Sequence, residues 1–163
     1  MNKENNYKKL EIKSYFEIED MQLALIEIVN QIKQSNWNPD VVISVNRGGC
    51  IPGVYLSHIL NVPHYVINVQ LRDNIAQNNL SAIDQNYNSK NNILIIDDIN
   101  DTGATFDLIK NYINYDILKF RFGCLIENKA SKFKSNYWGK LIDKKLKPTW
   151  IIFPWERDIY SSK

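Results

Sequence analysis

Short apolar segments with strand character alternate with helical segments along this chain, and that order limits the folds open to it. Alternating strands and helices form parallel sheets with helices packed on the faces, because each parallel connection needs a crossover. We therefore predict an α/β fold, a single domain with a mostly parallel β-sheet flanked by helices. The predicted strands are 39–45, 62–71, 93–96, 117–127 and 149–155, and the predicted helices are 16–36, 51–61 and 104–114.

The size and charge of the chain exclude several protein classes. At 163 residues it is long enough for one domain with a sizeable core. A net charge of +2 is too small to indicate a nucleic-acid or membrane partner, and no apolar run reaches the length of a membrane span. Cys50 and Cys124 lie far apart and form neither a disulfide framework nor a CxxC metal site. We expect a cytoplasmic location.

Two segments do not follow the strand and helix pattern. Residues 72–92 are polar and rich in asparagine, and they show neither the period of a helix nor that of a strand. Such a segment is typical of a functional lid or of disorder. Residues 129–147 are strongly basic, and we expect most of these lysines to form a solvated face.

Unusual residues follow three of the predicted strands. NRGG comes after residue 45, DDINDTGAT after residue 96 and ENKAS after residue 126. Ligands of open parallel sheets bind outside the carboxyl ends of the strands. We therefore expect these three segments to form one site.

Adjacent carboxylates, Asp97 and Asp98, end the buried strand 93–96. Like charges this close repel each other and resist burial, so they indicate a cationic or hydroxyl-rich partner. They can accept hydrogen bonds from the vicinal hydroxyls of a sugar, directly or through Mg²⁺. The alternative is an acidic metal pocket of the receiver-domain kind, although that chemistry does not need the DTGAT turn.

The DTGAT turn consists of Asp101, Thr102, Gly103, Ala104 and Thr105 and leads into a predicted helix. The free N–H groups and the dipole of a helix N-terminus favour an anion. The glycine allows close approach of the backbone, and the threonine hydroxyls add donors. A terminal phosphate fits this turn. The plainer interpretation is that Asp101 or Thr102 only caps the helix.

The NRGG segment places Arg47, Gly48 and Gly49 at the end of the predicted strand 39–45. A guanidinium group and successive backbone N–H groups can bind a diphosphate. Taken alone, the same residues are equally compatible with a structural turn.

Three motifs in this order resemble one known family. ILIIDDINDTGAT (93–105) resembles the signature of type I phosphoribosyltransferases, which bind 5-phospho-α-D-ribosyl 1-diphosphate (PRPP), with Asn100 in place of the usual aliphatic residue. VVISVNRGGCIPG (41–53) resembles the diphosphate loop of the purine-salvage branch. PTWIIFPWE (148–156) is similar to the C-terminal segment of xanthine-guanine and related 6-oxopurine phosphoribosyltransferases.

The resemblance implies a purine-salvage glycosyltransferase. Such an enzyme transfers phosphoribose from PRPP to hypoxanthine, guanine or xanthine and releases diphosphate, with Mg²⁺ as cofactor. It also implies a homo-oligomer, either a dimer or a tetramer. A non-catalytic PRPP-sensing regulator and a phosphoribosyltransferase for another base remain alternatives. The implied domain spans 15–158, after an N-terminal extension (1–14), with a lid at 72–92 and a base-binding segment at 127–158.

The resemblance also implies roles for the residues on the PRPP side. Asp97 and Asp98 hold the ribose hydroxyls and the magnesium shell, with Asp98 as a metal ligand. Residues 101–105 cradle the 5′-phosphate. Arg47 and Gly48 bind the diphosphate, and in this family the peptide bond before the arginine is often cis.

On the base side, the resemblance implies that Asp101 manages the proton at N7 of the purine, with Asp97 and Asp98 as the other catalytic residues. Lys129 donates to the 6-oxo group and Trp150 stacks on the base. Ile151 contributes backbone groups to the edge of the base, and Glu156 lies where the family has an aspartate near a second magnesium ion. The plainer alternatives are a surface position for Lys129 and a core position for Trp150.

Overall fold

A parallel sheet with helices on both faces forms the body of the protein. The computed structural model describes residues 12–71, 78–89, 91–114 and 116–157. Short 3₁₀ turns lie at Ile117–Lys119 and Pro154–Glu156. In chain order the elements are β1 (Ile12–Tyr15), α1 (Ile18–Gln34), β2 (Val41–Asn46), α2 (Cys50–Leu60), β3 (His64–Asn68), α3 (Ser81–Asn88), β4 (Ile93–Asn100), α4 (Ala104–Tyr112), β5 (Phe120–Asn128), β6 (Tyr137–Ile142) and β7 (Thr149–Ile152).

The main sheet has five strands in the order β3-β2-β4-β5-β6, and every neighbouring pair is parallel. The three inner strands are apolar and almost wholly buried over most of their length, because helices cover both faces of the sheet. The predicted α/β fold class is confirmed.

Successive residues of β4 pack against different helices, as the two-residue period of a strand requires. Leu94 and Ile96 belong to the core cluster that contains α1 and α2, whereas Ile93 and Ile95 belong to the cluster that contains α3 and α4. The helical face predicted for α1 is buried and comprises Met21, Leu25, Ile28, Val29 and Ile32.

The fifth strand of the main sheet lies in a segment that was not predicted to be a strand. β6 forms the sheet edge next to β5, inside the basic run whose lysines were expected to form a solvated face. Most of those lysines are exposed, as expected, but Tyr137 is buried and Trp138 and Ile142 are partly buried. Lys140 is exposed and pairs with Asp20 at 3.5 Å.

The strand predicted at 149–155 does not join the main sheet. Its first part is β7, which pairs in parallel with β1 in a separate two-stranded sheet, with Lys13 opposite Trp150 and Ser14 opposite Ile151. β1 begins inside the segment 1–14 predicted as an extension, of which residues 1–11 lie outside the described residues.

The polar segment 72–92 contains a helix, so the prediction that it lacks regular structure is wrong for α3. Ala82, Ile83 and Asn86 are buried on one face of α3, and the Asn86 side chain donates to the Ala82 carbonyl at 2.9 Å. This apolar face is too narrow to be recognised as a helical pattern among the surrounding asparagines. Residues 72–77 and 90 lie outside the described residues, and the lid remains a prediction. None of the described helices is both long and apolar enough to cross a bilayer.

Candidate active site

β4 continues through the acidic pair and does not end before it. Asp97 lies opposite Cys124 and Asn100 lies opposite Glu127 in parallel register with β5. The backbone N–H of Asp98 donates to the Asp97 carboxylate at 2.9 Å. Continued pairing with β5 therefore holds both carboxylates at the carboxyl edge of the sheet.

Both carboxyl groups are costly to ionise in the folded protein. Burial raises the pKa of Asp97 well above its usual range, and the charge of Asp98 adds to the effect. Burial also raises the pKa of Asp98 to about 6, a hydrogen bond from the Ile99 N–H opposes that rise, and the Glu156 charge adds to it. No lysine or arginine in the described part of the chain pairs with Asp97 or Asp98. A ligand that brings a cation or hydroxyl donors therefore suits this pair.

The segment after β2 approaches the acidic pair closely. The peptide bond Asn46–Arg47 is cis. A Cβ atom on Gly48 would collide with the Asp98 carboxylate, so a side chain cannot be accommodated at this position without displacing Asp98. A cavity of about 710 Å³, large enough for a small ligand, is lined by Arg47, Gly48, Ile51, Asp98, Trp155 and Glu156.

The DTGAT turn forms a second cavity beside the first. Gly103 has a φ of 93°, and a Cβ atom there would lie 2.5 Å from the Phe133 backbone nitrogen, so the turn needs glycine. The Thr102 hydroxyl accepts from the Ala104 N–H at 3.3 Å. The next two N–H groups of α4, those of Thr105 and Phe106, have no helical acceptor and are available to an anion. Residues 97–106 and Leu71 line this cavity.

Asp101 does not cap α4, because its carboxylate is bound to other residues. One oxygen accepts from the Asn128 side chain at 3.0 Å, and the other accepts from the Lys144 ammonium at 2.7 Å. Sequence reasoning did not single out either partner. A third cavity lies on this side and is lined by Asp98, Ile99, Asp101, Lys144, Trp150, Ile151, Phe153 and Glu156.

The predicted base-side residues fall into two groups. Trp150 is 54% exposed, so it is not a core residue, and it lines the third cavity together with Ile151 and Glu156. Lys129 is exposed directly after β5 and is not among the residues that line this cavity. Its backbone N–H donates to the Ile142 carbonyl at 2.8 Å, and its carbonyl accepts from the Lys134 ammonium at 2.7 Å.

Comparison with known proteins gives the family. A phosphoribosyl transferase domain model matches residues 11–162, which is most of the chain. The chain belongs to the phosphoribosyltransferase family. The resemblance found in the sequence is thereby confirmed.

Solved structures of similar fold include other phosphoribosyltransferases. A purine phosphoribosyltransferase from Pyrococcus horikoshii is 25% identical with a TM-score of 0.68, over 93% of this chain and 99% of that chain. The xanthine-guanine-hypoxanthine phosphoribosyltransferase of Helicobacter pylori is 20% identical with a TM-score of 0.67, over 91% and 95%. A Neisseria gonorrhoeae protein with bound ppGpp is 20% identical with a TM-score of 0.69, over 91% of both chains.

The departure of this chain from the family signature at Asn100 has a structural explanation. Asn100 is buried, and its amide donates to the Glu127 carboxylate and to the Phe133 carbonyl, each at 2.9 Å. The Ser131 hydroxyl donates to the Asn100 oxygen at 3.0 Å. This network joins the end of β4 to the loop after β5, which also contacts the DTGAT turn. An aliphatic residue would remove these three hydrogen bonds.

The carboxylates at the end of β4 fit a magnesium ion that a phosphate ligand also binds. Within the described residues, no three histidine, cysteine, aspartate or glutamate side chains form a metal cluster. Mg²⁺ commonly binds one or two carboxylates and completes its shell with water and substrate phosphates. Asp97 and Asp98, which lack a cationic partner among the described residues, suit such a partial site.

Proposed function

We propose that this protein is an enzyme that transfers phosphoribose from PRPP to a 6-oxopurine, giving the nucleoside 5′-monophosphate and diphosphate. The observation that carries the proposal is that Asp98 lines three cavities, so the three cavities adjoin at one residue. The first contains Arg47, the second contains the DTGAT turn and the third contains Trp150. A diphosphate, a ribose 5-phosphate and a base need three such compartments around one ribose.

On the PRPP side, the residues act mainly by positioning. The Arg47 guanidinium and the Gly48 N–H bind the diphosphate, and residues 101–105 cradle the 5′-phosphate. Asp97 and Asp98 accept hydrogen bonds from the ribose hydroxyls. Asp98 would hold a bound Mg²⁺ and Glu156 would lie near a second ion, and the bound metal would supply positive charge that neutralises the leaving diphosphate. Together these contacts fix C1′ of the ribose in front of the base.

On the base side, the residues orient the base and accept the proton that it loses. N9 of the base bonds to C1′ as the bond from C1′ to the diphosphate breaks, and Asp101 accepts the proton from N7. Trp150 stacks on the base, a contact typically worth about 1–3 kcal/mol. Ile151 offers backbone groups to the base edge. A lysine donates to the 6-oxo group, and the family resemblance gives this role to Lys129.

Two observations support the purine class. The Pyrococcus horikoshii neighbour, which covers 93% of this chain, is a purine phosphoribosyltransferase. The third cavity is also lined by a tryptophan together with carboxylates and a lysine, residue types that suit a flat heterocycle with donors and acceptors on one edge.

The test is a turnover screen with PRPP and Mg²⁺, in which release of diphosphate is measured. The bases are hypoxanthine, guanine, xanthine, adenine, uracil and orotate. We expect turnover of 6-oxopurines and poor turnover of adenine. Turnover of only uracil or orotate would indicate a phosphoribosyltransferase for another base. PRPP binding without turnover of any base would instead favour the PRPP-sensing regulator.

We also propose that the protein is a homo-oligomer, either a dimer or a tetramer. α2 and the edge strand β3 expose large apolar side chains, which is typical of a surface covered by another chain. They are Ile51, Val54, Tyr55, Ile59, Tyr65 and Val66. Sedimentation at micromolar concentration tests this, and a monomer would refute it.

A further inference from the structure

We infer that Asn128 is a positioning residue, which fixes the direction of the Asp101 carboxylate that accepts the proton of the base. The inference rests on the proposed function and adds a residue outside the cavities that the substrates would occupy. Asn128 is the last residue of β5, is 4% exposed and is not among the residues that line the three cavities around Asp98. Its effect on the reaction therefore passes through another side chain.

Two backbone N–H groups set the orientation of the Asn128 amide. The side-chain oxygen accepts from the N–H of Ala130 at 3.1 Å and from the N–H of Lys144 at 3.2 Å. Because these two donors hold the oxygen, the nitrogen at the other corner of the amide has to point toward Asp101. The backbone of the loop after β5 and of the turn after β6 therefore decides which way the amide donates.

The Asn128 amide nitrogen holds Asp101 at two points. It donates to the Asp101 carbonyl and to one carboxylate oxygen, both at 3.0 Å, and so ties the side chain of Asp101 to its own backbone. The other carboxylate oxygen lies 2.7 Å from the Lys144 ammonium. The Asp101 side chain is 41% exposed, so little packing restricts it. Without Asn128, only a long and flexible lysine side chain would hold the carboxylate in place.

The direction of this carboxylate matters because Asp101 borders two of the cavities. It lines the cavity of the DTGAT turn and the cavity that contains Trp150. Each carboxylate oxygen has two acceptor positions, and one donor on each oxygen leaves the second position for the base. In the proposed reaction the N7–H bond breaks, its electron pair stays with the base, and the proton bonds to a carboxylate oxygen as N9 bonds to C1′ and diphosphate leaves. A proton acceptor must lie about 2.6–3.2 Å from the donor atom, so a carboxylate that turns away loses the proton transfer.

The plainer alternative is that Asn128 only links two parts of the backbone. It joins the DTGAT turn to the turn after β6, and loss of that link would loosen the 5′-phosphate site whatever Asp101 does. The two interpretations predict different results. A positioning residue affects proton transfer and the hydrogen bond to position 7 of the base, whereas a structural link affects the binding of the phosphate.

The test uses two changes at Asn128. Asn128→Ala removes the amide, whereas Asn128→Asp keeps an oxygen that can accept from the backbone and replaces the donor with an acceptor. Asp101→Ala, alone and combined with Asn128→Ala, shows whether the effect passes through the carboxylate. Asn136→Ala is the matched control, because the Asn136 oxygen also accepts from a backbone N–H, that of Phe122 at 2.9 Å, but its side chain does not bond to Asp101.

Three quantities are measured for each variant. The first is kcat with hypoxanthine and PRPP, and the second is the Kd of ribose 5-phosphate. The third is the calorimetric Kd, with Mg²⁺ and diphosphate, of two bases that differ at position 7. In 9-deazahypoxanthine that position carries an N–H, and in 7-deazahypoxanthine it is a carbon atom. The ratio of these two Kd values measures the hydrogen bond to Asp101 without any turnover.

We expect both Asn128 variants to lower kcat about 10- to 100-fold and the preference for 9-deazahypoxanthine about 3- to 30-fold. The Kd of ribose 5-phosphate should stay within about twofold of wild type. In the Asp101→Ala background, Asn128→Ala should change the Kd ratio no further, and Asn136→Ala should leave all three quantities unchanged. A further fall of the ratio in the double variant overturns the inference. Weaker binding of ribose 5-phosphate with a normal kcat also overturns it.

The two proposals fail in different ways. If the wild-type protein turns over hypoxanthine and both Asn128 variants keep its kcat and its Kd ratio, the inference fails and the proposed function stands. If no base is turned over but the Kd ratio falls in Asn128→Ala and Asn128→Asp, the proposed function fails and the inference about Asp101 stands. If the wild-type protein neither turns over nor binds a base, both are overturned.

Discussion

Replacing Asp98 by asparagine should make the protein more stable and its substrate binding weaker. The carboxyl group of Asp98 is partly buried next to Asp97 and Glu156, and its pKa is raised from 3.8 to about 6. A shift of about two pKa units corresponds to at most about 3 kcal/mol of stability lost when the group ionises. Because the site is partly open to solvent, we expect Asp98→Asn to raise the free energy of unfolding by about 1–3 kcal/mol at pH 7.5.

The sign of the pH dependence follows from the raised pKa. The folded state holds its proton on Asp98 more tightly than the unfolded state does, so the stabilising contribution is present below pH 4 and is lost between about pH 4 and pH 6. The variant lacks this titration. The difference in stability between variant and wild type should therefore be about a third of its full value at pH 4.5 and nearly full at pH 7.5.

Denaturant unfolding with EDTA at both pH values measures this difference. Asp107→Asn is the matched control, because Asp107 is an exposed carboxylate in the first turn of α4, and its loss should not stabilise the protein. Adding PRPP and Mg²⁺ should reverse the order, since a ligand stabilises the folded state in proportion to its affinity. A variant at pH 7.5 that is no more stable than wild type would refute the reasoning.

Three further changes test other parts of the site. Asp101→Asn should lower kcat more than it raises KM for PRPP, because the proton is transferred in the transition state. Steady-state kinetics measures both constants, and a normal kcat in the variant would contradict this prediction. Gly103→Ala should weaken PRPP binding and destabilise the fold by about 1–3 kcal/mol, because its Cβ atom would meet the Phe133 backbone at a positive φ; an unchanged Tm would contradict the geometry. Asn100→Leu should lower the free energy of unfolding by about 2–4 kcal/mol, because the Glu127 carboxylate loses a hydrogen-bond donor. Denaturant unfolding measures this change, and a rise in stability would contradict it.

The sequence was informative wherever one strand or helix decides the outcome. The apolar run 93–96 and the helical face of α1 are local patterns, and both were predicted correctly. The convergence of the segments after β2 and β4 was also predictable, because parallel strands place their carboxyl ends at one edge of the sheet.

β6 was missed because its burial depends on the surface that it covers. Tyr137 contacts the core formed with α1, but the lysines around it make the segment look solvated when it is considered alone. The weak apolar face of α3 was hidden in the same way. Neither element has a strong local period, so tertiary packing decides both.

The contact between Lys144 and Asp101 was not predictable for a related reason. Lys144 and Lys145 are equivalent in the sequence, and the turn after β6 decides which of them reaches Asp101. That turn is set by Asp143, whose carboxylate accepts from the N–H groups of Lys145 and Leu146. A sequence pattern can predict that a strand ends before Lys129. It cannot predict the conformation of the turn that contains Lys144, fifteen residues later.

The pairing of β1 with β7 links the start of the described chain to the segment proposed to bind the base. β7 carries Trp150 and Ile151, and its hydrogen-bonded neighbour in the sheet is β1. Deleting residues 1–15 would remove that neighbour while the Arg47 loop and the DTGAT turn remain on the main sheet. A preparation shortened in this way should keep its affinity for PRPP and lose discrimination among bases. Trimming or fusing the N-terminus for expression would then alter which bases the protein accepts.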